Sequence, residues 1–235
     1  MRSAISEHTF ADPAGLAAAL AASVADALRA AIDARGGALL ALSGGTTPEL
    51  FLRCLGQQQL EWNRVTVTLC DERWVPPQHE RSNARLVART LLRGAASAAR
   101  FVPLYAERPD PETGAAVIDA RIAALPLPLD VAVLGMGNDG HTASFFPEGD
   151  RLPEALDLNN TARVLPMRAA GAGEPRITFT LSALLDTRAL YLHIEGEAKR
   201  QLLADARLAL GEAANFPVRS VLTQQRVPVA VYWCP

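Results

Sequence analysis

Apolar residues return every fourth position between Pro13 and Arg35, at Leu16, Leu20, Val24, Leu28 and Ile32, and Gly36-Gly37 follows. That spacing predicts an Ala-rich helix over 13–35 whose role is core packing. Shorter continuous runs predict buried strands: ALLALS at 38–43, VTVTLC at 65–70, DVAVL at 130–134, RALYLHIEG at 188–196 and PVAVYW at 228–233, the last closing the sheet. Between them the pattern predicts a helix from about Pro48 to Leu55, with Thr47 able to cap it and Pro48 suited to its first position. A second helix, capped by Ser82 or Asn83, runs through Leu86 and Leu92; others cover 111–124 and the stretch from Gly196 to Leu210. FVPLY at 101–105 reads as a short strand, ARVLPM at 162–167 as another, 176–186 as a strand or a helix start, and 148–160 as irregular. Strands alternating with helices along 235 residues, without repeats, predict one α/β domain over 1–235.

Three strand ends carry polar clusters. After 130–134 comes GMGNDGHTASFFP, where Asn138, Asp139 and His141 stand within four residues. His141 is the side chain there that exchanges protons near neutral pH without being perturbed. A tight turn served by Gly135, Gly137 and Gly140 would explain the glycines without any chemistry. GMGNDG also matches the dinucleotide fingerprint, with Asp157 at ribose distance, but that fingerprint opens a long helix, whereas Pro147 interrupts anything begun at His141. After 38–42, Ser43, Gly44, Gly45, Thr46 and Thr47 lead into a helix, an arrangement whose free amides and positive helix end make an anion cradle. No Gly-Lys-Ser/Thr closes it, so it is not a Walker loop. After 65–70 come Asp71, Glu72 and Arg73, which parallel strands would bring to the same sheet edge.

Composition narrows the field. Net charge is −2 without a basic block, which argues against nucleic acid, and no apolar run reads as long enough to span a bilayer. The N-terminus lacks a signal-peptide layout, leaving the cytoplasm as the expected location. Cys54, Cys70 and Cys234 are too widely spaced for a metal pair and read as reduced packing residues. Of 23 basic residues every one but Lys199 is arginine. A lysine retained against that bias suits a site that needs a compact ammonium on a flexible stem, and Lys199 follows a strand-to-helix junction.

With LSGGTTP, LCDERWVP followed by SN, LGMGNDGHTASFFP, PRITFTLSALLD and GEAKR in this order, the chain resembles 6-phosphogluconolactonases over nearly its whole length. The resemblance implies a three-layer, Rossmann-like, mostly parallel sheet with helices on both faces, similar to glucosamine-6-phosphate deaminases and ribose-5-phosphate isomerases. It implies hydrolysis of 6-phospho-D-glucono-1,5-lactone, a small-molecule substrate, with no metal or cofactor; it is silent on oligomeric state. On that pattern His141 matches the proton-transfer residue, with Asp139 placed to orient it or to shape the turn. Ser43, Gly44, Gly45 and Thr46 match the phosphate loop, and Arg176 and Lys199 match basic residues that hold the sugar phosphate in the deaminases. Asn83 and Gly137 fall in the matching segments, as does Asp71, which in deaminases moves a proton that a lactonase has no need to move. Arg73 or a loop amide is the expected oxyanion donor. A deaminase reads GHIAFNEP where this chain reads GHTASFFPEG; Glu148 follows the proline instead of preceding it, which favours the lactonase. Deaminase chemistry and non-catalytic sugar-phosphate binding are the competing readings.

Overall fold

The computed structural model describes residues 4–235. Its first half contains β1 (Ile5–Thr9), α1 (Pro13–Arg35), β2 (Ala38–Leu42), α2 (Glu49–Gly56), β3 (Val65–Leu69), β4 (Asp71–Arg73), α3 (Asn83–Thr90), β5 (Arg100–Phe101) and α4 (Pro111–Ala123). There follow β6 (Leu129–Gly135), α5 (Leu152–Leu156), β7 (Val164–Met167), β8 (Arg176–Phe179), α6 (Leu181–Leu185), β9 (Thr187–Glu195), α7 (Glu197–Leu208), α8 (Val218–Thr223) and β10 (Val229–Cys234).

Seven strands form a parallel sheet in the order β1-β10-β9-β6-β2-β3-β5. Every residue of β2 is buried, as are Leu129–Leu134 of β6. Successive side chains point to opposite faces, so burial of all of them means that both faces of the central strands are covered, the three-layer α/β arrangement. From β2 the chain builds outward through β3 to β5, then returns to place β6 on the other side of β2. This reversal puts a crevice at the C-terminal ends of β2 and β6, where open α/β sheets bind ligands.

α1 contains an 18-residue window of mean hydropathy 1.5, so by length and composition it could cross a membrane, contrary to the sequence expectation that no run is long enough. Leu16, Leu20, Val24 and Leu28 are nevertheless fully buried in the core. Burial of each side chain stabilises the fold by roughly 1.5–3 kcal/mol.

A second sheet, antiparallel and ordered β4-β8-β7, rises from the end of β3, where the Phe179 amide donates to the Cys70 carbonyl at 2.9 Å. Asp71–Arg73 is thus a strand, where the sequence predicted only a polar strand end. Its pairing to β8 supplies what its composition lacks.

Other expectations shift in detail. α2 starts one residue later than predicted: Pro48 is the N-cap, and Thr47 makes no capping hydrogen bond. Ser82 caps α3 by accepting from the Arg85 amide, so Asn83 is the first helical residue and is free for other work. The stretch 148–160 includes α5, 176–186 is both a strand and a helix, and only Phe101 of FVPLY enters β5. PVAVYW does not close the sheet, because β1 pairs outside β10. Asp130 anchors the start of β6: it accepts from the Leu39 amide at 2.8 Å and pairs with Arg35.

Candidate active site

Ser43–Thr47 leave β2 beside the loop that leaves β6, since Leu42 and Val133 are ladder partners and the Ser43 amide donates to the Val133 carbonyl at 3.0 Å. Beyond Ser43, the amides of Gly44, Gly45, Thr46 and Thr47 donate to no group among the described residues, and α2 begins just past them. Free amides and a helix start thus face one crevice, an arrangement suited to an anion.

The β6 loop folds back on itself through two hydrogen bonds, Gly137 amide to His141 carbonyl at 2.9 Å and Gly140 amide to Gly137 carbonyl at 3.1 Å. A Cβ on Gly137 would come within 2.2 Å of the His141 ring, so glycine there is what lets the imidazole lie against the turn. His141 Nδ1 is 2.5 Å from Asp139 Oδ1, and the ring lies against Phe146, tilted by 31° with centroids 4.4 Å apart. Burial alone would raise the Asp139 carboxyl, but the bond and charge of His141 and its amide outweigh it, so the group titrates below its usual value. Asp139 thereby holds one ring nitrogen, and Nε2 has no hydrogen-bond partner among the described residues.

The β4 end is ordered by two acids. Glu72, almost fully buried, accepts from the amides of Arg73, Asn83 and Ala84 and from Ser82 Oγ, tying the loop 73–83 to the start of α3. Burial pushes its carboxyl up, against the pull of those bonds. Asp71 accepts from Ser144 Oγ at 2.6 Å and lies 3.8 Å from Arg176 Nη1. Asn83 bridges: its amide nitrogen donates to the Asp71 carbonyl at 2.9 Å, and its oxygen accepts from Arg73 Nη1 at 2.6 Å. It rests so closely over Gly44 that a Cβ on that glycine would lie 1.8 Å from Asn83 Oδ1. Arg73 also donates to the Arg81 carbonyl at 2.9 Å, but no carboxylate pairs with it among the described residues, and its Nε has no partner. Its charge therefore stays available to the cleft.

Arg176, on β8, is buried and donates to the carbonyls of Ala172 at 2.6 Å and Glu174 at 3.3 Å, with its guanidinium 5.2 Å over the Phe146 ring. Burial chiefly, and Arg73 further, pull its pKa below the ordinary arginine value. Lys199, in the first turn of α7, has no hydrogen-bond or ion-pair partner among the described residues. Burial lowers its pKa, and Glu195 opposes that shift.

One cleft of about 290 Å³ is lined by Ser43, Gly44, Gly45, Thr46, Asp71, Arg73, Asn83, Gly137, His141, Arg176 and Lys199. Of the residues given a catalytic or binding role from the sequence, only Asp139 lies outside its wall, and it reaches the cleft through His141; Glu72 and Asn138 of the strand-end polar clusters lie outside it as well. The lining also includes Arg81, Phe146 and His193, which sequence reasoning passed over. Phe146 stood inside the GHTASFFP segment, and His193 was a polar residue in an apolar strand ending at this edge; either was a usable signal. A wider open groove of about 1220 Å³ between α1, α2 and α3 contains none of these groups. The dinucleotide reading fails, since the next helix after β6 starts only at Leu152 and has five residues.

Comparison with known proteins follows the same line. A family model described as glucosamine-6-phosphate isomerases/6-phosphogluconolactonase matches residues 11–233. A 6-phosphogluconolactonase of Rhizobium meliloti is 54% identical over 228 residues, covering 97% of this chain and 98% of that protein. One of Mesorhizobium japonicum is 52% identical over 228 residues, covering 97% and 94%. The crystal structure of a 6-phosphogluconolactonase from Shewanella baltica superposes with a TM-score of 0.93 at 39% identity, over 100% of both chains. The chain belongs to the glucosamine-6-phosphate isomerase/6-phosphogluconolactonase family.

Proposed function

We infer that the chain hydrolyses 6-phospho-D-glucono-1,5-lactone to 6-phosphogluconate, the second step of the oxidative pentose phosphate pathway. The observation that carries this reading is that one cleft joins an imidazole backed by a carboxylate to a nest of free amides and a lone ammonium. The substrate has matching ends: a strained ester carbonyl and a phosphate dianion.

Phosphate sits on the free amides of Gly44, Gly45, Thr46 and Thr47 and on Lys199, with Arg176 adding charge; these contacts position the ring. His141, hydrogen-bonded through Nδ1 to Asp139, takes a proton from water on Nε2 as the water oxygen bonds to C1. The C1 carbonyl oxygen becomes an oxyanion, and the unpaired, pre-positioned Arg73 stabilises it, a role worth about 3–4 kcal/mol. Collapse of the tetrahedral intermediate breaks the bond from C1 to the ring oxygen. The imidazolium returns its proton to that oxygen, and the new carboxylic acid ionises to the product carboxylate. Asp71 acts as a support, holding Ser144, Asn83 and Arg176 in register.

Deamination is disfavoured by Phe146. It occupies the place before Pro147 where the deaminase pattern has its glutamate, and it covers the imidazole with an apolar ring. The test is a coupled assay of lactone disappearance, corrected for spontaneous hydrolysis, beside ammonia release from glucosamine 6-phosphate. Ammonia release, or no lactone turnover above background, overturns the reading.

A further inference from the structure

Beneath the anion cradle lies a histidine that the mechanism does not use. His193 is the third-last residue of β9, between Gly135 on β6 and Tyr232 on β10, and its ring meets Phe51 of α2 edge-on at 6.1 Å. It is 3% exposed yet lines the cleft beside Ser43–Pro48 and Lys199. Nε2 lies 3.0 Å from Glu195 Oε1, and Nδ1 is buried without a partner.

Glu195 poses a problem for a phosphate site. It stands four residues before Lys199, close enough to act on that ammonium, and a carboxylate free to turn toward the cleft would repel a phosphate dianion and compete for its cation. Yet Glu195 is absent from the cleft wall, while Lys199 and His193 are both part of it. The one side chain that binds the Glu195 carboxylate among the described residues is His193.

We propose that His193 is a positioning residue for phosphate recognition: its Nε2–H holds the Glu195 carboxylate behind the cleft wall, so that Lys199 stays near a counter-charge while its ammonium faces the anion. Phe51 and the flanking strands lock the ring, so the carboxylate is held by a rigid donor. The other ionisable groups around the pair are Tyr232 and Cys234 on β10, with Asp12 acting on Cys234 from before α1. This inference rests on the reading of Lys199 as a phosphate ligand.

The test is a double-mutant cycle read as KM against kcat. H193F keeps the aromatic packing and frees the carboxylate; it raises KM for the lactone about tenfold, a loss of about 1.4 kcal/mol in binding, while kcat stays close to wild type. E195Q has no carboxylate to turn inward, so its KM stays close to wild type. The double variant H193F/E195Q returns KM to the E195Q value, because with no carboxylate to restrain, the histidine has nothing to do. H193Q, which retains a donor, falls between wild type and H193F. An H193F defect that persists undiminished in the double variant overturns the proposal, as would be seen if the ring only packed or bound phosphate itself.

E195Q also tests the pair without touching the buried ring. Its dissociation constant for inorganic phosphate, measured by calorimetry, begins to rise at a lower alkaline pH than in wild type; superposable profiles overturn the idea even if H193F fails to fold. Because inorganic phosphate binding needs no turnover, a chain that binds it through Lys199 but leaves the lactone intact defeats the proposed activity alone. A working lactonase with an additive cycle defeats this inference alone.

Discussion

Arg73 and Arg176 stand directly opposite each other in the β4–β8 ladder. Like charges in that register cost roughly 0.2–1 kcal/mol. Asp71, 3.8 Å from Arg176, offsets part of the repulsion, and nothing among the described residues neutralises Arg73. The cleft is therefore held ready for negative charge at some expense of stability. Bound 6-phosphogluconate at about 100 times its Kd stabilises the fold by about 2.7 kcal/mol, which for a chain of this size raises Tm by roughly 5–10 °C. In R73Q the shift shrinks while the unliganded Tm changes little. Thermal melts with and without product check this; an R73Q shift as large as that of wild type would remove Arg73 from the ligand's surroundings.

The Asp139–His141 bond makes a separate forecast. With the carboxylate on Nδ1 the imidazole presents a basic Nε2, so H141N lowers kcat by about 10²–10⁴ and leaves KM within a few-fold. D139N keeps the shape of the turn but removes the acceptor that selects this tautomer, so its kcat falls between those of wild type and H141N. Steady-state kinetics on the two variants decide the matter: a D139N enzyme as fast as wild type reduces Asp139 to a turn residue.

Much of this site was readable in the chain because it consists of loops at the ends of strongly apolar strands. ALLAL, VTVTL and DVAVL each stop at a polar cluster, and parallel pairing brings those stops to one edge. What escaped reading was made by pairing instead of pattern. β1 has four exposed residues in five and only Ile5 as an apolar anchor; it exists because β10 offers it an unpaired edge. β4 is Asp-Glu-Arg, a triplet with no strand preference, recruited by β8. The same recruitment creates the Arg73–Arg176 pairing and seats Asn83 over Gly44, contacts between residues too distant in sequence for any local signal. His193 did leave a signal, a polar residue inside the apolar run YLHIEG, but the run as a whole reads as a buried strand and masked it.

Glu72 was grouped with Asp71 and Arg73 as candidate chemistry, yet it points away from the cleft into a closed set of donors. Three backbone amides and one hydroxyl converge on its carboxylate. E72Q puts an NH₂ group where at least one amide donates, leaving a buried donor unsatisfied at a cost of about 1–3 kcal/mol. The loop 73–83 then loses its clamp, and Arg73 and Asn83 lose their placement. Lower stability in urea unfolding is expected together with a fall in kcat/KM, although Glu72 is not part of the cleft lining. Full activity in E72Q would mean that the loop is held elsewhere.

Lys199 yields a pH dependence whose sign is fixed by its surroundings. Burial disfavours the ammonium and Glu195 only partly opposes this, so the group loses its proton below the ordinary lysine range. Between the ligand phosphate's own second pKa, about 6, and that folded pKa both charges are present and phosphate affinity is flat; above the folded pKa the lysine charge is lost and Kd for 6-phosphogluconate climbs, by up to about tenfold per pH unit in the limit where only the charged form binds. Equilibrium binding of the product is the right measurement, because the lactone opens spontaneously in alkali. K199A binds about 10–100-fold more weakly at neutral pH, the loss of one charge-assisted contact, and shows no lysine-dependent alkaline limb. K199R keeps its charge throughout the range and flattens the limb while binding less well than wild type, since a planar fork does not replace a compact ammonium. A wild-type profile that stays flat through the ordinary lysine range, or a K199A profile that keeps the limb, would show that the solitary lysine does not hold the phosphate.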